Sequence, residues 1–159
     1  MTSTELAPLL ARYAEGADRT GCPYPGTWQH APFPERTTNG ARYSLVAVDP
    51  GVSALGVRHD DGSLWCLPDD APPHLLNTGV EAFIAFNRAY AEAAAEAAAY
   101  EGPGDDLPDD EAVDLAEQAA DALTEALLER FGATDPDAVA DENSFWCVGA
   151  EELGYGMST

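Results

Sequence analysis

The sequence predicts an α+β fold: a single domain over residues 1–159 in which an antiparallel β-meander is flanked by helices. Three observations carry this. Residues 43–67 form three short apolar-rich runs joined by tight-turn sequences. Residues 79–100 and 110–130 each hold apolar side chains at the three-to-four spacing of one helix face. Hydrophobic residues make up 45% of the 159, enough to build one core.

At the N-terminus, residues 4–15 read as an amphipathic helix. Thr4 is placed to cap it, Pro8 sits in its first turn, and Leu6, Leu9, Leu10 and Tyr13 share one face. Residues 18–42 are rich in Pro, Gly and Thr and lack periodicity. They read as a long ordered loop with a short strand near Trp28, held to the body by Tyr24, Trp28 and Phe33. Residues 1–42 are therefore an N-terminal helix followed by a Pro/Gly-rich loop.

Tyr43–Val48 reads as the first strand of the meander, and Ala54–His59 follows the turn Asp49-Pro50-Gly51. Asp60-Asp61-Gly62 marks a hairpin, because its turn needs positive φ, and Ser63–Leu67 returns as the partner strand. The connections are too short for the crossover a parallel pair requires. Thr78-Gly79-Val80-Glu81 has the form of a capping box, opening a helix to about Tyr100 that Gly102-Pro103-Gly104 terminates. Asp109 or Asp110 is expected to cap a second long helix that runs to about Arg130, with Gly132 as its stop. Its apolar face is Val113, Ala116, Ala120, Leu123, Leu127 and Phe131. Asp135-Pro136 opens a short helical turn with proline at its first position. A last helix is expected from Asn143 or Ser144 to Leu153, stopped by Gly154, with a strand as the alternative because Gly149 lies inside it. Trp65 and Trp146 are assigned to the core.

Charge is the most informative part of the composition. There are 29 acidic residues against 7 arginines and no lysine, a net charge of −22. The first 60 residues net −1, so residues 61–159 hold almost all of the excess. Such a field repels nucleic acid and anionic lipid, and it attracts a basic protein surface. No apolar run is long enough to cross a bilayer, and residues 1–10 lack the basic start and apolar length of a signal segment. The expected location is cytoplasmic.

No catalytic, cofactor-binding or metal-binding residues are expected. Cys22, Cys66 and Cys147 are odd in number and far apart, and no CxxC is present. His30, His59 and His74 show no metal-ligand spacing; a site joining His59 to Cys66 across the hairpin is the nearest approach to one. There is no GxSxG, Walker or dinucleotide-binding loop. The Asp-Asp pairs stand at turns and helix starts, where local capping explains them. One constellation has a physical use beyond solubility: Asp110, Asp114, Glu117, Asp121 and Glu125 project from one side of the second long helix. These five are the candidate partner-binding residues, with Trp28 and Tyr155 as candidate aromatic anchors.

The order of features resembles the SUKH superfamily. The likeness lies in Tyr43–Val48, the Gly56–Leu67 hairpin with Asp61-Gly62 at its tip, and Asn77-Thr78-Gly79-Val80-Glu81-Ala82-Phe83 opening a long helix. Asp135-Pro136 and Phe145-Trp146 followed by Glu151-Glu152-Leu153-Gly154 look like its SUKH-4 branch. The resemblance covers residues 43–159. It implies an α+β domain that works as an immunity protein in a bacterial polymorphic toxin system, binding and blocking a cognate toxin of nuclease or deaminase type without turnover. A nuclease site attracts phosphate and is therefore basic, which agrees with the charge. Two other readings stay open: a SUKH-like regulatory or scaffold protein with no toxin partner, and a small hydrolase without a linear motif. The sequence sets no oligomeric state.

Overall fold

A computed structural model describes residues 3–20, 22–102 and 106–157, and their side chains except those of residues 3, 4 and 18–20. The chain divides into two compact units, residues 1–87 and 88–159. Helices and an antiparallel sheet make it an α+β protein, as the sequence predicts.

The first unit opens with α1 (Ser3–Thr20), longer than the expected 4–15. Thr4 lies inside this helix instead of preceding it, and its side chain is outside the described residues. Six strands follow: β1 (Thr27–Trp28), β2 (Glu35–Thr38), β3 (Ala41–Asp49), β4 (Ser53–Arg58), β5 (Leu64–Pro68) and β6 (His74–Asn77). Their order is β1-β3-β4-β5-β6, with β2 also on β3, and every pairing is antiparallel. The loop expected over 18–42 does contain the strand at Trp28. It also contains β2, which hydrophobic patterning misses because Glu35-Arg36-Thr37-Thr38 holds no apolar residue. Backbone pairing to β3 makes it a strand. β6 is likewise absent from the sequence reading; it is four residues long and follows Pro72-Pro73.

Both turn sequences behave as their chemistry requires. Gly51 and Gly62 adopt φ of 78° and 76°, conformations that cost a side-chain-bearing residue energy. The Asp61 carboxylate accepts from the Ser63 amide at 3.0 Å and the Ser63 hydroxyl at 2.5 Å. The buried Tyr13 hydroxyl of α1 donates to the Gly62 carbonyl at 2.8 Å, fixing the hairpin tip to the helix.

One face of the sheet carries the cluster Ala41, Tyr43, Leu45, Ala54 and Leu67, with Val48 and Trp65 beside it. Trp65 is half-buried, not fully in the core; its indole N–H reaches Ser63 Oγ, and Arg58 lies over its ring. The other face includes the fully buried Leu55, Val57 and Leu64. Phe83, in the first turns of α2 (Val80–Ala99), meets Tyr13 and Trp28 in ring contacts of 5.4 and 6.0 Å.

The second unit holds the rest of α2, then α3 (Asp109–Thr134), a 3-10 turn (Pro136–Val139) and α4 (Phe145–Met157). α2 ends near the expected Tyr100; Gly102 has φ of 88°, and Pro103 and Gly104 lie outside the described residues. Three helix ends differ from expectation. Pro108 precedes α3 and no side chain caps it, so Asp109 and Asp110 are first-turn residues. There their charge still favours the helix, because it faces the positive end of the macrodipole. α3 continues past Gly132 to Thr134, and α4 passes through Gly154 to Met157. The Asp135-Pro136 turn forms as predicted, with proline at the start. Ser144 sits just before α4, and its hydroxyl accepts from the Cys147 amide at 3.4 Å.

Trp146 is fully buried at the centre of this unit. Phe145, Phe131 and Tyr90 surround it at ring distances of 5.1, 5.4 and 6.3 Å. Such aromatic pairs add about 0.5–1.5 kcal/mol each beyond burial.

Candidate acidic docking site

The site is built on α3. Ala120, Leu123, Leu127 and Phe131 are buried and hold the helix in place. Val113, expected on the same face, is 55% exposed, so only the later part of the apolar stripe finds a partner. The carboxylates of Asp110, Asp114, Glu117, Asp121 and Glu125 are all exposed. At 3.6 residues per turn they fall within about 80° of arc and extend along about 22 Å of axis. Like charges at this spacing cost a few tenths of a kcal/mol per pair, which the buried leucines on the opposite side must offset.

α4 completes the site, and glycine lets it do so. A Cβ on Gly154 would lie 2.9 Å from the Ala120 carbonyl oxygen and closer still to Thr124 Oγ1. Hence α4 approaches α3 to backbone contact at this point, with Ala120 and Ala150 buried beside it. The Thr124 hydroxyl donates to the Ala150 carbonyl at 3.3 Å and ties the two helices together. The residue after Gly154 is Tyr155, 72% exposed, and one turn before it stands Glu151. The result is an open groove of about 320 Å³ whose walls include Glu117, Asp121, Glu151 and Tyr155.

The fold therefore gathers three of the seven candidate residues, Glu117, Asp121 and Tyr155, into one groove. It leaves Asp110, Asp114 and Glu125 along the adjoining crest. It adds Glu151, which sequence reasoning missed; its spacing of four from Tyr155 on one helix face was the available signal. Trp28 lies in the first unit, on β1, half-buried against Phe83. Among the described residues, none of Glu117, Asp121 and Glu151 has an ion-pair partner. Residues 88–159 carry 19 acidic residues against two arginines, a net of −17. Arg130, one of the two, is engaged with Glu92 at 2.8 Å. The groove thus presents uncompensated negative charge in a unit of the same sign.

Reactive groups elsewhere are arranged differently. Ser44 Oγ on β3 and His59 Nε2, in the turn just after β4, are 2.8 Å apart. The nearest carboxylate, Glu35 Oε1, lies 3.7 Å from that same Nε2. A serine–histidine–acid triad needs the acid on the other ring nitrogen, where it orients the base. Burial pushes the Cys22 thiol up to about 12, against a weaker opposing backbone hydrogen bond near Tyr24, and it raises Cys66 as well. Thiols held protonated are poor nucleophiles. Among the described residues no group of three or more His, Cys, Asp and Glu is placed to hold a metal ion. No helix among them is long and apolar enough to cross a membrane.

Comparison with known protein families matches residues 10–152 to the family model described as SUKH-4 immunity protein. The match begins in α1, well before the residue 43 at which the sequence motifs set in. No curated protein and no solved structure matches the chain significantly.

Proposed function

The chain belongs to the SUKH-4 immunity protein family, and from that premise we propose that it neutralises a cognate toxin of nuclease or deaminase type by docking the acidic crest and groove of α3 and α4 onto a basic toxin surface. SUKH immunity proteins act in general by binding and not by turnover, and the proposal follows that mode. The observation that supports it most directly is the convergence of Glu117, Asp121 and Glu151, without ion-pair partners among the described residues, beside the exposed ring of Tyr155. Charge of one sign speeds encounter with a cationic surface and rejects nucleic acid and anionic membrane. An aromatic side chain at the edge of the charged groove supplies the apolar contact on which affinity depends. A target whose site must attract phosphate is a natural complement, and the cytoplasm is where such a toxin would have to be stopped.

The test is co-expression with the product of the neighbouring gene, assayed for toxicity, followed by titration of the purified pair. Wild-type protein is expected to protect cells. The triple variant Asp114→Lys, Glu117→Lys, Asp121→Lys should weaken binding at least tenfold through a slower, less salt-dependent association, with circular dichroism unchanged. Cells left unprotected by wild type refute the toxin reading. Equal affinity for the triple variant moves the interface off α3.

A further inference from the structure

α3 has a second exposed side, turned toward α2. Ala93 and Ala99 of α2, Tyr100 just past its end, and Ala119, Ala122 and Ala126 of α3 line an open trough of about 520 Å³, floored by the buried Leu123 and Leu127. Small side chains on both walls let the backbone of a third helix approach to the short end of the usual 8–10 Å interaxial distance. In helical projection Leu115 falls between Ala122 and Ala126, and it is 42% exposed. The apolar strip thus continues past the trough on a helix otherwise crowded with carboxylates. An apolar strip left in water beside a groove marks a contact surface.

Charge identifies the occupant. Glu92 and Glu96 stand on the α2 side of the trough. Glu125 and Glu129 adjoin Ala122 in projection on the α3 side and are exposed. Among the described residues the one cation lining the trough, Arg130, is engaged with Glu92. A second copy of this chain carries −22 and is repelled. A segment that satisfies the floor and both rims has an apolar face edged by Lys or Arg. We propose that the α2/α3 trough receives a cationic amphipathic helix of the toxin, apolar face on the alanines, basic residues on the two glutamate rims. This rests on the toxin-binding reading and assigns it a second contact surface beside the α3/α4 groove.

The probe is a synthetic 18-residue Leu/Lys amphipathic helix, with a Glu-for-Lys counterpart, titrated into the full-length protein labelled at its methionine methyl groups. Met157 lines the trough, and the chain has only two methionines. The Lys peptide should shift the Met157 signal and the Glu peptide should not. Ala122→Trp with Ala126→Trp fills the trough from two exposed positions and should weaken the Lys peptide at least tenfold. Glu96→Lys with Glu129→Lys reverses one exposed charge on each rim, outside the Arg130–Glu92 pair, and should weaken it to a similar extent. Asp110→Lys, on the far side of the crest, should change it less than threefold. Binding that is indifferent to both double variants, or equal for the two peptides, overturns the proposal. A trough-filled protein that still neutralises the toxin at wild-type potency also overturns it, while the toxin reading stands. Failure of the wild type to neutralise refutes that reading instead.

Discussion

Replacing Gly154 by alanine should loosen the candidate groove, and the sign of its effect on stability follows from two opposing quantities. Glycine inside a helix costs about 0.5–1 kcal/mol relative to alanine, so the substitution begins with a gain of that size. Against it stands the contact between helices. The new Cβ would lie 2.9 Å from the Ala120 carbonyl oxygen, with Thr124 Oγ1 nearer. The threonine hydroxyl can rotate away, but the carbonyl belongs to the backbone of α3 and moves only if the helix moves. Overpacking of this kind costs about 1–3 kcal/mol, which cancels or exceeds the gain and leaves a net loss of up to about 2.5 kcal/mol. For a chain of this length that lowers Tm by up to about 10 °C. Gly132 is the control. A Cβ there would lie 4.0 Å from Val139 Cγ2, an ordinary contact, so Gly132→Ala keeps its gain and raises Tm by about 1–4 °C. Thermal unfolding of the two variants by circular dichroism reads the difference directly. Toxin titration should show weaker binding for Gly154→Ala alone, since prising α4 from α3 separates Glu151 and Tyr155 from Glu117 and Asp121. A Tm for Gly154→Ala equal to or above that of Gly132→Ala refutes the claim that the helices touch at this glycine.

Three further outcomes are expected. Asn87 is fully buried, and among the described residues neither atom of its amide has a hydrogen-bond partner; Asn87→Leu should raise stability by about 1–2 kcal/mol, and a lower Tm would show that the amide is satisfied. Tyr13→Phe keeps the ring against Phe83 but strands the Gly62 carbonyl, so unfolding free energy should fall by about 1–2 kcal/mol and amide exchange at the hairpin tip should quicken; unchanged exchange at Gly62 and Ser63 would count against the anchor. Partial burial acts to raise the Asp61 carboxyl, but the two Ser63 hydrogen bonds and Arg58 outweigh it and hold the group below its usual range. Its folded pKa therefore lies below its unfolded one, and its contribution to stability is present above the unfolded value and lost as pH falls through the folded one. Ser63→Ala should move the Asp61 titration upward in a carboxyl-detected NMR experiment, and an unmoved titration would show that Ser63 does not set it.

The sequence by itself determined the meander, the long helices, the family and the sign of the field. β3, β4 and β5 were legible because each is an apolar-rich run, a local property, and because the glycine turns that join them admit few conformations. The later face of α3 was legible because Ala120, Leu123, Leu127 and Phe131 repeat with the helix. β2 and β6 were not, since four residues with little apolar contrast become strands only when a neighbour offers its backbone. Val113 shows the limit of periodicity, which marks a face and leaves open how much of that face is covered. Gly154 shows the deeper limit. Along the chain it resembles a helix stop; in three dimensions it is the point of closest approach between α3 and α4, and that approach sets Tyr155 and Glu151 beside Glu117 and Asp121. Local chemistry fixes which residues are charged or apolar and how an element is patterned. Only packing decides which patterned faces meet, because that depends on shapes brought together from distant parts of the chain.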